Sequence, residues 1–438
     1  MPSSFERFIV ENAEAETSRL LLSCTDWPSV EDPFLGCLNG KELAINTIEA
    51  RRKLKDKVPE WYAVTSLVYP TVLCAEQCSS SVTARYKAAL ARKILGDSPG
   101  RIADLTGGLG VDSWAFSQVA SEVLYNEREP ALAAAAKHNL LELGIDNISF
   151  SNQDISPETL GAVVKGFKPD VIFLDPARRS SEGNKVFLLE DCSPDVLTLL
   201  PSLLEFSKHL LLKLSPMADI SMVVERINHC YENHLESTNG SGWNGNWVRE
   251  IHVVSSGGEC KELLVWVDKE WKGEYSLICR EDGGTLSFGR QEASSAKPKL
   301  PESNYFRFII EPGKSLLKAG LTNALCERFG LVKLARFTHI LSIGETLSRE
   351  DLPSRLGPLY GMGRIYEVEE VLKFGKASFK DIGKRFPRSE VSARNIPLTS
   401  SELRARLGVK SGDDAHIFGV KVETPFESSN FLLVCHRI

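Results

Sequence analysis

The sequence predicts an α/β protein whose central part is a doubly wound sheet between a helical N-terminal region and a second α/β module. Residues 1–95 carry apolar side chains at helical spacing and no strand pattern. From residue 100 to about 270, short apolar strands alternate with helices, which is typical of a mainly parallel sheet. A similar alternation begins again near residue 305. The 438 residues exceed what one hydrophobic core usually holds, so we expect two or three domains.

The composition is that of an ordinary globular protein, with 42% hydrophobic and 25% charged residues. The polar start of the chain predicts no signal peptide, and no apolar run is long enough to span a membrane. Ten cysteines occur without any C-x-x-C pair. These features predict a cytoplasmic protein with reduced thiols, no metal and no membrane contact. They leave its oligomeric state open.

The net charge of −6 hides an asymmetry between the two ends of the chain. Residues 290–438 contain 24 lysines and arginines against 17 acids, whereas residues 1–289 contain 28 against 41. The stretch 373–410 has ten basic and three acidic residues. A basic module of this kind predicts a polyanionic partner. A solvated basic face without any partner explains the charge equally well.

The individual elements follow from the hydrophobic periodicity. In the N-terminal region, helices are predicted over 41–57 and 82–95. The central region is predicted to contain helices over 111–120 and 130–143, strands over 101–105, 122–126, 147–154, 170–175 and 209–216, and an antiparallel hairpin formed by 247–256 and 260–267. Residues 271–300 are mixed and end in a stretch that is predicted to be a linker, QEASSAKPKLPES. Beyond it we predict strands over 305–310, 364–374, 389–395, 415–422 and 430–438, and helices over 311–330, 379–386 and 399–407.

A glycine-rich turn follows the first strand of the central region, in the segment DLTGGLG. Asp104 ends the strand, and Gly107, Gly108 and Gly110 lie in the turn. Glycines here permit positive φ and a close approach of the backbone to a ligand. The spacing fits a dinucleotide site poorly, because Ser113 stands where the third glycine of such a site would be. A tight turn that binds nothing explains the glycines alone equally well.

Acidic residues also end the next three strands. Glu127 follows the second strand, Asp154 ends the third and Asp175 ends the fourth. Because the carboxyl ends of parallel strands meet at one edge of a sheet, we expect these side chains to surround one ligand. A carboxylate at Glu127 can accept both hydroxyls of a ribose, and one at Asp154 can accept from an exocyclic amine. The turn lacks a cluster of basic residues for a pyrophosphate, so we expect a cationic or zwitterionic ligand.

The segments DLTGGLG, NERE, NQD and FLDPAR together resemble motifs I, post-I, III and IV of class I S-adenosylmethionine-dependent methyltransferases. The resemblance implies a Rossmann-like seven-stranded sheet, S-adenosylmethionine as cofactor, and a set of cofactor-binding residues. In that superfamily the position of Asp104 orients the methionine amino group, the turn with Thr106 and its glycines passes beneath the methionine part, Glu127 holds the ribose and Asp154 reaches the adenine.

A narrower resemblance covers most of the chain. The segment SSVTARYKAALARKI is similar to the Ser-Val-Thr-Pro segment of trimethylguanosine cap synthases, with Ala84 in place of the proline, and implies that Thr83 binds the cofactor. The segments EQCSS, DLTGGLGVD, DPARR, KLSP and EPGKSLLKAG resemble bacterial class I methyltransferases with a C-terminal THUMP-like domain. This implies a helical region over 1–95, a methyltransferase domain over 96–272, and a C-terminal α+β module made of a ferredoxin-like subdomain over 273–345 and a THUMP-like domain over 346–438.

The segment DPARR determines the predicted reaction. In methyltransferases that act on amino groups of nucleic acids, motif IV reads Asp/Asn-Pro-Pro-aromatic, and its first residue accepts from the target amine. Asp175 and Pro176 keep the first half, whereas Ala177 and Arg178 replace the second. An arginine can stack on a base or bind a phosphate. We therefore predict that Asp175, Pro176 and Arg178 are catalytic and that Arg178 and Arg179 also contact the substrate.

Two further residues near this segment have an open interpretation. Lys213, at the end of the strand HLLLKL, is predicted to contact substrate or the cofactor carboxylate, although an ordinary strand-end lysine explains it equally well. DPxR also resembles the motif of m5-uridine methyltransferases, which need a cysteine nucleophile. Cys192 is the nearest candidate, and an ordinary cysteine near the start of a helix explains it better.

The predicted substrate is RNA, either tRNA or rRNA, methylated at a base nitrogen. THUMP domains of other enzymes bind structured RNA, which agrees with the basic stretch 373–410. Within it, Lys384, Arg385, Arg388 and Arg394 are predicted to bind the RNA. The alternatives are a small-molecule or protein methyltransferase whose tail is a protein-interaction module, and a binder of the cofactor without activity.

Overall fold

The computed structural model describes residues 3–28, 35, 39–178, 189–237, 246–343 and 347–438, without the side chains of residues 178, 231 and 234–237. The chain forms two compact units. The first consists of Met1–Arg249 with Leu264–Gly273, and the second of Glu250–Leu263 with Glu274–Ile438. Within the described residues, no helix is long and apolar enough to cross a membrane.

The N-terminal region is helical, as predicted. Its helices are α1 (Ser4–Glu11), α2 (Thr17–Ser23), α3 (Gly40–Lys57), α4 (Pro59–Tyr62), α5 (Val72–Gln77) and α6 (Ser81–Leu95). Asn39 and Ser80 cap the two long helices, because their side chains accept from backbone amides of the first turn. Leu43 and Ile48 of α3 pack with Phe5 and Ile9 of α1 in a buried cluster. Ala135 of the central region belongs to the same cluster, so the N-terminal helices share this core with the central region.

The central region alternates strands and helices. The strands up to residue 289 are β1 (Arg101–Asp104), β2 (Glu122–Asn126), β3 (Ile148–Ser151), β4 (Val171–Leu174), β5 (Ala177–Arg178), β6 (Cys192–Ser193), β7 (His209–Leu214), β8 (Val248–Ser256), β9 (Glu259–Asp268), β10 (Ser276–Glu281) and β11 (Gly284–Gly289). The helices are α7 (Val111–Ser117), α8 (Pro130–Glu142), α9 (Pro157–Val164), α10 (Val196–Phe206) and α11 (Ile220–Ser237), with a 3-10 turn over Leu189–Asp191. β5 and β6 form a separate two-stranded sheet.

The large sheet has the order β11-β10-β8-β9-β7-β4-β1-β2-β3. β1 pairs in parallel with both β2 and β4, so the chain reverses its direction of winding between β1 and β4. Ligands of open α/β sheets bind outside the carboxyl ends of the strands at such a point. The fold class is confirmed, and the topology places a candidate site beside the ends of β1 and β4.

The sheet has nine strands, so the expected number of seven is wrong. The hairpin β10–β11 lies in the stretch that was predicted to be mixed, and β10 pairs with β8 in parallel. Polar side chains such as Arg280 and Ser287 interrupt its apolar pattern, which hid the strands from hydrophobic periodicity. The predicted linker begins with a further helix, α12 (Arg290–Ser295).

The second unit contains a seven-stranded sheet. Its strands are β12 (Phe308–Pro312), β13 (Leu331–Ala335), β14 (Thr338–Ile343), β15 (Gly363–Lys373), β16 (Glu390–Arg394), β17 (His416–Glu423) and β18 (Ser428–Arg437), in the order β13-β14-β12-β15-β18-β17-β16. Its helices are α13 (Lys314–Lys318), α14 (Thr322–Phe329), α15 (Leu352–Leu356), α16 (Lys376–Arg385) and α17 (Ser400–Leu407), with a 3-10 turn over Gly357–Gly361. The single helix predicted over 311–330 is wrong: Gly320, at φ +70°, separates α13 from α14.

Candidate active-site cleft

A cleft of about 480 Å³ lies in the first unit, at the carboxyl ends of the central strands. This volume is within the range of sites for small molecules. The lining residues come from α5 and the residues after it, the glycine-rich turn, the start of α8, and several strands or the segments that follow them: Cys74, Gln77, Cys78, Ser79, 105–112, 127–129, Leu132, 153–155, Asp175, Ala177, Ser193, Pro194 and Lys213. The cleft therefore brings together the turn and three of the four acids that the sequence singled out.

The glycine-rich turn needs glycine for steric reasons. A Cβ on Gly107 would lie 2.2 Å from the ring of Tyr125, so any side chain there would displace the ring. Gly108 and Gly110 have φ of +53° and +94°, which L-residues with a side chain rarely adopt. Tyr125 Oη donates to the carbonyl of Gly108 over 2.6 Å and fixes the turn from below. The turn is thus held in one shape along the cleft wall.

Asp104 is fully buried and does not line the cleft. Its carboxylate accepts from the hydroxyl of Ser113 over 2.6 Å and from the amide of Thr106 over 3.2 Å. Burial raises the pKa of Asp104 to about 8, helped by the charges of Asp112 and Asp175 and opposed by the two hydrogen bonds. In this arrangement Asp104 holds the turn against α7 from behind.

Glu127 and Asp154 both line the cleft. Glu127 accepts from the amide of Gly108 over 3.0 Å and from that of Glu129 over 2.9 Å, so its carboxylate joins the glycine-rich turn to the start of α8. Asp154 is exposed, and its carboxylate faces the cleft wall from the loop after β3. The prediction that Asp154 ends its strand is wrong, because β3 ends at Ser151.

Asp175 follows β4 directly and is held by two contacts. Its backbone amide donates to the hydroxyl of Thr106 over 2.6 Å, which ties the end of β4 to the turn after β1. Its carboxylate forms an ion pair with Lys213 of β7. About a third of the Asp175 side chain and 15% of the Lys213 side chain are exposed, so the pair borders the cleft. The position of Lys213 is thereby explained as the partner of Asp175.

The remaining residues predicted near this point lie in different surroundings. Pro176 is buried, and the backbone of Arg178 pairs with that of Cys192 in the small β5–β6 sheet. The Arg178 side chain and the whole of Arg179 lie outside the described residues. Cys192 is fully buried, which disfavours it as a nucleophile toward a base. Thr83 is buried and its hydroxyl bonds to Ser80, away from the cleft lining.

Three further polar residues form a network that the motifs did not reveal. Asp112, in the first turn of α7, lines the cleft and accepts from the hydroxyl of Ser79 over 2.8 Å. Lys87 of α6 is fully buried, lies 3.2 Å from Asp112 and donates to the Ser79 hydroxyl over 2.9 Å. The sequence did offer one indication of this network, because Asp112 is an acid two residues after Gly110, the last glycine of the turn. Its lysine partner lies 25 positions earlier in the chain, which only the packing of α6 against α7 explains.

The basic residues predicted in the tail fall into two groups. Arg385 pairs with Glu370 over 2.6 Å and with Asp381 over 3.1 Å, and Arg394 bonds Glu311 through two nitrogens over 2.6 and 3.2 Å. These two guanidinium groups are occupied within the protein. The side chains of Lys384 and Arg388 are exposed.

Lys384 borders a groove of about 730 Å³ between α16 and α17 in the second unit. Its rim carries four exposed cations: Lys376, Lys380, Lys384 and Arg406. Among the described residues, no ion pair or hydrogen bond is found for the three lysine side chains of this rim. Gly383 permits this geometry, because a Cβ there would lie 2.1 Å from the carbonyl of Leu407. The two helices therefore approach closely, with Phe379 and Leu407 beneath the cations.

Two family models match the second unit. A THUMP-like domain matches residues 363–437, and a ferredoxin-like domain matches residues 308–345. The chain is also similar to proteins of two Mycobacterium tuberculosis strains, CDC 1551 and H37Rv, that are called uncharacterized S-adenosylmethionine-dependent methyltransferases. Each is 24% identical over 337 residues, which are 76% of this chain and 79% of the relative.

One solved structure is similar to this chain over nearly its whole length. The crystal structure of a Porphyromonas gingivalis W83 protein, to which methyltransferase activity is ascribed, superposes with a TM-score of 0.77 and 27% identity. The superposition covers 99% of this chain and 97% of the Porphyromonas gingivalis chain. The similarity therefore extends over both the central sheet and the C-terminal module.

Proposed function

We propose that this protein, an S-adenosylmethionine-dependent methyltransferase with a THUMP-like domain at its C-terminus, methylates a base nitrogen of RNA. The observation that carries the proposal is the position of Asp175. This acid ends β4 beside the glycine-rich turn and borders the cleft, where it can accept a hydrogen bond from a substrate amine. The division into 1–95, 96–272, 273–345 and 346–438 remains the domain organisation that we propose.

The cleft fits S-adenosylmethionine better than a phosphate-rich ligand. Its lining includes five acids (Asp112, Glu127, Glu129, Asp154 and Asp175) and two bases, Arg128 and Lys213. Lys213 is paired with Asp175, so the surface left for a ligand is acidic. S-adenosylmethionine carries a sulfonium and an ammonium against one carboxylate, and such a net positive ligand is attracted by these acids. Among the described residues, no group of three or more His, Cys, Asp or Glu is arranged to hold a metal ion.

The cofactor-binding roles follow from this fit. We assign Glu127 to the ribose and Asp154 to the adenine, with Thr106 and the three glycines of the turn along the methionine part. Asp104 acts from behind the turn, since its carboxylate is bonded to Ser113 and Thr106. Thr83 keeps its predicted role only if its hydroxyl leaves Ser80 when the cofactor binds.

The chemistry requires little of the protein beyond placement. Bound S-adenosylmethionine supplies an activated methyl group. Asp175 orients the substrate amine and accepts the proton that the nitrogen gives up. Lys213 holds the carboxylate in place through their ion pair. Pro176 fixes the backbone after Asp175, and Arg178 and Arg179 supply contacts to the substrate.

The groove between α16 and α17 supports RNA as the substrate. Lys376, Lys380 and Lys384 follow one another at intervals of four, so they lie along one face of α16. Like charges at this spacing weaken a helix by a few tenths of a kcal/mol per pair. A row of unpaired lysines is thus unfavourable for the free protein and favourable when phosphates lie along it. Lys384 and Arg388 remain in the proposed surface, whereas Arg385 and Arg394 must first release their acids.

The test is transfer of labelled methyl groups to RNA. Wild-type protein and Asp175→Ala are incubated with labelled S-adenosylmethionine and with tRNA or rRNA from cells that lack this gene, so that the target is unmethylated. Protein and metabolite extracts of the same cells serve as controls. We expect the wild-type protein to label one RNA fraction and Asp175→Ala to label none. Label in the protein or metabolite fraction alone would establish the alternative, in which the C-terminal module is a protein-interaction domain.

A further inference from the structure

We propose that Asp112 binds the ammonium group of the methionine part of S-adenosylmethionine, and that Lys87 and Ser79 position it for this role. The inference rests on the proposed function, because it takes the cleft as the donor site. It differs from the role that the superfamily motif implies for Asp104. The reason lies in where the two carboxylates are.

Asp104 is turned away from the ligand space. It is fully buried, does not line the cleft, and has both oxygens bonded to the turn and to α7. Its pKa of about 8, raised mainly by burial, leaves much of the carboxyl uncharged near neutral pH. A neutral, inward-facing carboxyl is a poor partner for an ammonium group.

Asp112 is the acid that lines the cleft at this end, next to the glycine-rich turn. It lines the cleft beside Gly110 although only 9% of the residue is exposed. Its Oδ2 accepts from Ser79, whereas its buried Oδ1 has the ion pair with Lys87 but no hydrogen bond among the described residues. Each carboxylate oxygen can accept more than one hydrogen bond, so Asp112 can accept a further one from a donor in the cleft, and an N⁺–H donor makes the strongest one.

Lys87 and Ser79 hold this carboxylate in place at the cleft lining. Lys87 is fully buried, so its ammonium group counters the charge of Asp112 in a place that water does not reach. The Lys87 ammonium also donates to the Ser79 hydroxyl, which leaves the Ser79 hydrogen for Asp112. The three groups form a closed chain that holds one rotamer of Asp112 before any ligand binds.

The test is a binding comparison that separates the amino-acid part of the ligand from the rest. Calorimetry measures the affinity of wild type and Asp112→Asn for S-adenosylhomocysteine, for decarboxylated S-adenosylmethionine and for 5′-methylthioadenosine. The first two carry the ammonium group, and the third carries neither the ammonium group nor the carboxylate. We expect Asp112→Asn to weaken the first two by about tenfold to a hundredfold, the effect of one charge-assisted hydrogen bond, and the third by less than about twofold.

Each other outcome decides the question. Equal affinities of wild type and variant for all three ligands, or an equal loss for all three, would overturn the assignment of Asp112. Wild type that binds none of the ligands would instead overturn the cleft as the donor site. Asp112→Asn removes the charge beside the buried Lys87 ammonium and can unfold the protein, so Lys87→Met/Asp112→Asn, which removes both charges, is measured beside it. The same selective loss is expected there. If neither variant keeps the wild-type thermal transition, the pair serves the fold and the assignment is wrong.

Discussion

The acidic cleft of the first unit and the basic groove of the second differ in how their charges are held. In the cleft, Asp175 is paired with Lys213, Asp112 with Lys87, and Glu127 with two backbone amides. In the groove, the three lysines on the rim are exposed and have no such partners within the described residues. The cleft therefore holds a few carboxylates at defined positions, whereas the groove presents several exposed positive charges side by side.

This difference teaches what kind of ligand each surface suits. Preorganised carboxylates in a cleft of about 480 Å³ select a small molecule by the position of its polar groups. A row of exposed lysines selects charge rather than shape, which is how proteins hold a phosphate backbone. The same unit also shows the contrast on one helix, because Arg385 of α16 is bound to Glu370 and Asp381 whereas Lys384 beside it is exposed.

The largest effect is expected from Asp175→Ala. Loss of the group that accepts the amine proton should lower the rate of methyl transfer by about 10²–10⁴-fold, whereas the affinity for S-adenosylhomocysteine should change little. The measurement combines single-turnover transfer of labelled methyl groups with calorimetry. Glu142→Gln, an exposed acid of α8, is the matched control. Unchanged turnover in Asp175→Ala would show that the cleft acid has no part in the reaction.

The groove is tested by Lys376→Gln/Lys380→Gln/Lys384→Gln in the full chain. Removing three phosphate contacts should weaken binding of unfractionated tRNA by about tenfold to a hundredfold and reduce the salt slope of log K by about 2–3. Arg385→Gln is the control from the same helix, and we expect less than about a twofold change because its charge is already paired. Equal effects of the triple variant and the control would contradict the distinction between free and paired cations.

Asp104, the buried acid behind the glycine-rich turn, should make stability depend on pH. The pKa of Asp104 is about 8 in the folded protein and about 4 in an unfolded chain, so the native state binds the extra proton between these values. The stability that this proton provides is present below pH 4 and lost as pH rises toward 8. The free energy of unfolding should therefore fall by up to about 1.4 kcal/mol per pH unit in this window.

Urea unfolding between pH 5 and 8, without ligand, measures this dependence. Asp104→Asn should give a flatter profile than wild type, because its side chain does not titrate. Asp154→Asn, which removes an exposed acid of the same cleft, should keep the wild-type slope. Identical slopes for wild type and Asp104→Asn would mean that burial does not hold the proton on Asp104.

The smallest effect is expected at the start of α17, which supports one side of the groove. The Thr399 hydroxyl accepts from the amide of Glu402, and the Glu402 carboxylate accepts from the amide of Thr399. Thr399→Ala should lower the free energy of unfolding by about 1 kcal/mol, the usual value of an N-cap. Thermal unfolding of the full chain measures the change, with Ser401→Ala on the exposed face of the helix as the control. A loss as large in Ser401→Ala would argue against the cap.

Much of the cleft could be predicted from the sequence because its acids follow strands that are strongly apolar. Val171–Leu174 is buried at every position, so its end, and with it the place of Asp175, was unambiguous. The end of β3 was predicted too late, since Ile148–Ser151 is only half-buried and the pattern continues into polar residues. The pair β10–β11 was missed because polar side chains interrupt its apolar pattern. A sequence pattern indicates a strand where the residues are continuously apolar, as in β4, or where apolar and polar residues alternate.

The sequence by itself determined the order of the elements, the glycine-rich turn, the acids at the strand ends and the basic character of the tail, because each is a local property of consecutive residues. Only the tertiary structure decided which charged side chains are available to a ligand and which are paired within the protein. Lys213 turned out to face Asp175, Lys87 to face Asp112, and Arg394 to face Glu311, over separations of 38, 25 and 83 residues. A charge is free or neutralised according to its neighbours in space, and no local pattern in the chain encodes them.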